Sequence, residues 1–131
     1  MWRMKQSAIL VITSLLSILL TMIHLADDIA RGFSPRGLTN LTPVLFWAVW
    51  AYGTLVLAER RSGYIIVLVA SLLASGLPVI HMTGRSGVIA GAKSAGGFFF
   101  ALTLFVLGAT AILSVILSAR GLWSLRRGQP R

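Results

Sequence analysis

The sequence predicts an all-α integral membrane protein, a four-transmembrane-helix bundle with both termini cytoplasmic. Three observations predict it. Of 131 residues, 56% are hydrophobic and 11% are charged, whereas soluble domains carry about a quarter charged residues. Four apolar runs, near 7–26, 41–58, 64–82 and 98–119, contain no Asp, Glu, Lys or Arg, and each approaches the roughly 20 helical residues that a bilayer requires. The basic residues cluster between these runs and fall unevenly on the two sides: Arg3, Lys5, Arg60, Arg61, Arg120, Arg126, Arg127 and Arg131 on one, and Arg31, Arg36, Arg85 and Lys93 on the other. The richer side is expected to be cytoplasmic.

The first run follows Arg3 and Lys5, as a signal peptide would. Its apolar core extends from Ala8 to Ile23, longer than the usual h-region, and His24-Leu25-Ala26 lacks a small-x-small cleavage pattern. It therefore reads as a retained helix, with Asp27 and Arg31 one turn apart and Gly32 placed to cap an extended end. Thr42 is expected to cap the second helix, with Pro43 at its first position. Residues 59–63 form a tight cytoplasmic turn, making the second and third helices antiparallel neighbours. Pro78 is expected to kink the third helix. A Gly/Ser-rich outer loop follows, over 83–97. The segment 120–131 is read as a basic cytoplasmic tail resting on anionic lipid, with Trp2, Tyr64 and Trp123 at the cytoplasmic boundary. Residues 1–131 read as a single membrane domain.

Because water does not drive helices together in lipid, small and polar residues mark their contact faces. Thr13, Ser17, Thr21, His24 and Asp28 share one face of the first helix, flanked by Ser14 and Asp27. Thr103, Thr110, Ser114 and Ser118 share a face of the fourth. Ala70, Ala74, Pro78 and His81 share one of the third, with Ser71 beside it, and Trp47, Ala51 and Thr54 share one of the second.

The outer end of the bundle concentrates the chain's chemistry. His24, Asp27, Asp28 and His81 include both histidines and two of the three acids, and ionisable groups at membrane depth are functional candidates by default. His24, Asp27 and Asp28 stand at i, i+3 and i+4, and His81 ends a helix running the same way. Together they supply nitrogen and oxygen ligands for a divalent metal, zinc or iron. Haem b, held axially by the two histidines, is a lesser alternative. Thr21, Trp47 and Trp50 are candidate pocket-lining residues, and Phe98 to Phe100 could wall the same region. The bland reading of the group is ion pairing, Asp27 with Arg31, and polarity at the interface. No catalytic residue can be assigned.

Three functional readings follow. The first, and the leading expectation, is a small polytopic membrane protein without chemistry of its own, a subunit or partner of a larger complex or a homo-oligomer, since little chain lies outside the bilayer. The second is a transporter or channel-like protein for a proton, ion or small solute along the polar stripe; below Thr21 that stripe holds only hydroxyls. The third is a metal- or haem-binding membrane enzyme using His24, Asp28 and His81. Compactness suggests a bacterial inner membrane. Nucleic acid is excluded as a partner because the charges form no continuous basic surface. The absence of cysteine excludes disulfide and thiolate chemistry. Residues 87–94 approach the phosphate-binding G-x-x-x-x-G-K-S/T loop, but Ala92 replaces its second glycine and no strand precedes it. Asn40-Leu41-Thr42 matches a glycosylation acceptor yet abuts a helix. In size the chain is similar to small multidrug exporters, but Glu59 closes the second run, and the first has no glutamate of the kind they depend on.

Overall fold

The computed structural model describes residues 2–32, 41–83 and 95–128. Asn40, Arg36, Arg85, Arg131 and the 87–94 segment lie outside the described residues, as does most of the expected outer loop. The described chain is all-helical: α1 is Trp2–Ala30, α2 Leu41–Leu55, α3 Arg61–Thr83 and α4 Ala95–Arg126. Three of them, α1, α3 and α4, are long and apolar enough to cross a membrane.

The second is shorter than expected. At 15 residues, α2 rises about 22 Å, against a hydrocarbon thickness of about 30 Å. It stops because the backbone turns: Leu57 N–H reaches back to the Tyr52 carbonyl at 3.2 Å, and Glu59 takes a left-handed φ of 66°. Residues 56–60 make the turn, and Arg61 already belongs to α3. At its other end, α2 begins at Leu41, so Thr42 and Pro43 lie within its first turn. The segment after Arg120 is likewise not a loose tail at its start. Helix continues to Arg126 because Leu, Trp, Ser and Arg all tolerate it, and Gly128, at φ 59°, provides the left-handed stop. Gly32, at φ 77°, ends α1 in the same way, as its position suggested.

Consecutive helices run antiparallel. Ser14 meets Thr54 and Thr13 meets Ser114, while Gly53 faces Ile66 and Gly121 faces Tyr64. α4 packs along α1 and α3; α2 packs on α3 and α1, with no contact of note to α4. The order around the bundle is therefore α1, α2, α3, α4, with α1 and α3 on a diagonal. Pro78 is accommodated opposite Gly108, where a Cβ would stand 2.9 Å from the proline ring.

Polar groups face inward and apolar ones outward, as hydrocarbon surroundings require. Thr13, Ser14, Ser17, Thr21, His24, Thr54, Ser71, Ser114 and Ser118 are buried, whereas Ile12, Leu45, Leu73 and Ile80 are exposed. The core adds Trp50, Val67, Leu107 and Ala111. Thr13, Ser17, Thr21, Thr54 and Ser114 satisfy themselves on carbonyls of their own helix, while Ser71 and Ser118 are buried without a partner among the described residues. Thr13, which donates to the Ile9 carbonyl at 2.9 Å, also meets Ser114 at 3.0 Å and so ties neighbours together. Ser14 and Thr54 lie 2.7 Å apart. Ser14→Ala is expected to lower stability by about 0.6–1.7 kcal/mol, the range of interhelical hydrogen bonds in membranes. The modest size follows because Thr54 keeps its bond to the Trp50 carbonyl. Unfolding in mixed detergent micelles measures it.

Candidate metal centre

The face that carries Thr13, Ser17 and Thr21 into the core reaches His24 one turn later and Asp28 two turns later. His24 is 4% exposed and the Asp28 side chain 14%. His81 arrives from the diagonal, in the last turns of α3. Its Nδ1 lies 2.9 Å from the Leu77 carbonyl. A carbonyl only accepts, so Nδ1 carries the proton, and a neutral His81 presents a bare lone pair at Nε2.

That Nε2 faces His24 Nε2 at 3.2 Å, and Asp28 Oδ2 is 3.5 Å from each of the two nitrogens. Three metal-ligating atoms thus form a near-equilateral triangle. A tetrahedral zinc site with bonds of about 2.0–2.1 Å has ligand-to-ligand edges of about 3.3–3.4 Å. A facial octahedral triad with the same bonds has edges of about 2.8–3.0 Å. The observed edges fit the tetrahedron better. They leave its fourth corner to a further ligand.

Of the residues singled out from sequence, His24, Asp28 and His81 come together. Asp27 turns away and takes Arg31 Nε at 2.7 Å. Arg31 also donates to the Gly96 carbonyl at 2.8 Å, joining the end of α1 to the start of α4. Arg31→Ala is expected to cost under about 1 kcal/mol, because the pair is solvent-exposed; thermal unfolding in detergent checks it. Thr21 and Trp47 line a cavity beside the triangle, while Trp50 is fully buried and borders a second cavity nearer the bundle centre.

From sequence, Phe100 is one of three phenylalanines that could wall the region, not a site residue in its own right. Its ring centroid lies 5.0 Å from that of His24 and 5.8 Å from that of His81, and the Arg31 guanidinium sits 5.2 Å above it. Phe98 and Phe99 point outward instead. The signal was present: 100, 104, 107, 111, 114 and 118 repeat at alternating four and three, and all six are buried. Leu77 was also missed; it stands one turn before His81, where a carbonyl meets a helical side chain.

The cavity beside the triangle has a volume of about 350 Å³ and lies among α1, α2 and α3. His24, Asp28 and Thr21 are its polar lining; Leu25, Phe46 and Leu77 are among the apolar residues. No family model, curated protein or solved structure matches this chain.

Proposed function

We propose that the chain is an integral membrane protein that holds one divalent metal ion, zinc fitting best, at His24, Asp28 and His81. The carrying observation is the 3.2, 3.5 and 3.5 Å triangle of two imidazole nitrogens and one carboxylate oxygen. Two imidazole nitrogens facing each other with a carboxylate beside them suit a cation, His24 releasing the Nε2 proton it otherwise shares with His81. Three protein ligands with a free fourth position are the pattern of catalytic rather than structural zinc. Such an ion polarises a bound oxygen or activates water. The Leu77 carbonyl would fix the His81 tautomer and ring, the outer support usual for metal-bound histidines; His24 Nδ1 is buried without such a partner among the described residues.

A haem fits these distances poorly. Axial ligation sets the two nitrogens about 4 Å apart, at about 2.0 Å per bond, with the macrocycle between them. Here Asp28 and Phe100 pack against the imidazoles.

The orientation with both ends cytoplasmic is part of the same reading. Arg60 in the α2–α3 connection, Arg61 at the start of α3, Arg120 and Arg126 on α4 and Arg127 just after it share one end of the bundle, which the Tyr64–Gly121 contact brings together. Arg127 stacks on exposed Trp123 at 4.7 Å, an arrangement suited to an interface with anionic lipid. α2 counts as a fourth span in this reading, with local thinning or tilt absorbing its shortness. A bacterial inner membrane is the setting proposed.

The subunit reading rests on the small extramembrane content, and the transport reading on the buried hydroxyls, which include no titratable group. Neither has a comparable convergence behind it. The test is metal loading of purified protein that has never met a chelator. One zinc or cobalt per chain, with a tetrahedral cobalt spectrum, is expected. A chain that stays metal-free across a zinc titration to millimolar sinks the reading, and co-purifying partners then become the question.

A further inference from the structure

The free side of the triangle has a particular surrounding. On one side, Phe100 covers both imidazoles and Arg31 covers Phe100. On another lies the 350 Å³ cavity, whose lining includes Phe46 and Leu73. The same two residues line a second cavity of about 390 Å³ between α2 and α3, bordered also by Val49, Ile65, Val69 and Ala70. The two spaces thus form one groove. Apart from Thr21, its side chains beyond the triangle are apolar, and Val49, Ile65, Val69 and Leu73 face outward, where the hydrocarbon would be.

The groove also has a direction. On α3 its lining runs from Leu77 to Ile65, about 18 Å at 1.5 Å per residue, from beside the triangle past the middle of the helix to about one turn from its start at Arg61. One half of the bilayer hydrocarbon measures about 15 Å. A polar end at the interface with an apolar body pointing to mid-membrane is how an amphiphile lies in a leaflet. The groove offers both ends the right surroundings, since among the described residues its two ligating side chains, His24 and Asp28, stand together at one end.

We propose that this groove takes a bilayer-dissolved amphiphile of the long-chain alcohol class, entering sideways between α2 and α3. Its hydroxyl reaches His24 and Asp28, and its apolar body lies along Leu73, Phe46 and Val69. This deepens the metal reading and rests on it for what the hydroxyl finally meets, namely the fourth position of the ion. The sideways route and the apolar seat stand on the cavity lining alone.

The test uses the full chain in lipid nanodiscs, with zinc or after chelation, and hexadecanol carrying a diazirine beside its hydroxyl. Irradiation followed by peptide mass spectrometry maps the insertion. The expected result is labelling concentrated on Leu25, Trp47 and Leu77, rising severalfold with zinc. Leu73→Phe should cut it at least about fivefold, and Leu73→Ala should increase it. Leu73 is 62% exposed, so neither change disturbs the core. Labelling confined to outward positions such as Ile12 and Ile112 overturns the proposal, as does cavity labelling indifferent to Leu73→Phe. Competition by hexadecane as strong as by unlabelled hexadecanol also overturns it, since the polar end would then count for nothing. Cavity labelling that follows Leu73 but ignores zinc supports the amphiphile seat and counts against the metal reading alone.

Discussion

Replacing either imidazole by alanine is expected to lower zinc affinity by more than about a hundredfold, since even losing an outer support of a metal ligand costs about 10–100-fold. In the proposed centre His24 and His81 would contribute one corner each, and the two remaining ligands would not hold an ion against water. Asp28→Ala should do nearly as much. Asp27→Asn should leave affinity within about twofold, because Asp27 is engaged by Arg31; its charge, one turn from the site, is the only thing lost. Calorimetric titration of the four variants, with helix content followed in parallel, measures this. Equal losses at Asp27 and Asp28 would mean a general electrostatic attraction in place of coordination. No loss at His81 would remove α3 from the site.

The largest effect on stability is expected at Gly63. A methyl group there would fall on the Leu57 carbonyl oxygen, with the carbonyl carbon at 2.7 Å and the Gly53 carbonyl oxygen at 2.9 Å. These are backbone atoms, so no side chain can swing aside. Gly63→Ala must separate the end of α2 from the start of α3, and a loss of about 3 kcal/mol is expected, the upper part of the overpacking range. Gly76 is the control: nothing lies within 4 Å of the position of its Cβ. There alanine should stabilise by about 0.5–1 kcal/mol through helix propensity. Unfolding in mixed micelles should give opposite signs for the two. A neutral Gly63→Ala would show that the turn over 56–60 adapts, and that α2 is not held against α3 by this close approach.

How far the sequence carried depended on periodicity. The α1 stripe was legible because hydroxyls and ionisable groups at helical spacing have one favourable destination in an apolar chain, the helix–helix interface. All of Thr13, Ser17, Thr21 and His24 are there. The pairing of His24 with His81 was legible only in depth, since both lie near the ends of helices that run the same way. Whether α1 and α3 were neighbours or diagonal is a property of four helices together, and no single stripe contains it. The structure puts them on the diagonal and lets them meet at one end. Asp27 and Asp28 differ by 100° around α1, which decides that one sees Arg31 and the other the imidazoles; the stripe already leaned toward Asp28. Helix ends were read least well. Apolar residues 56–58 continue the pattern of α2, yet Glu59 in a left-handed conformation cuts it short. The basic residues after Arg120 mask a helix because charge ends an apolar run without ending the helix: Gly121 stays helical against Tyr64, and the left-handed stop comes only at Gly128.

The meeting of α1 and α3 also bears on how the molecule is made. His24 and His81 are 57 residues apart in sequence, and a metal clip that closes a long segment restricts the unfolded chain more than one closing a short segment. A chain emerging during synthesis passes His24 early and completes the triangle only after the third helix has threaded and found its diagonal partner. Ion uptake would therefore date the moment of assembly: a half-inserted chain lacks one imidazole and stays empty. Once loaded, the first and third helices could no longer be drawn out of the bilayer one at a time.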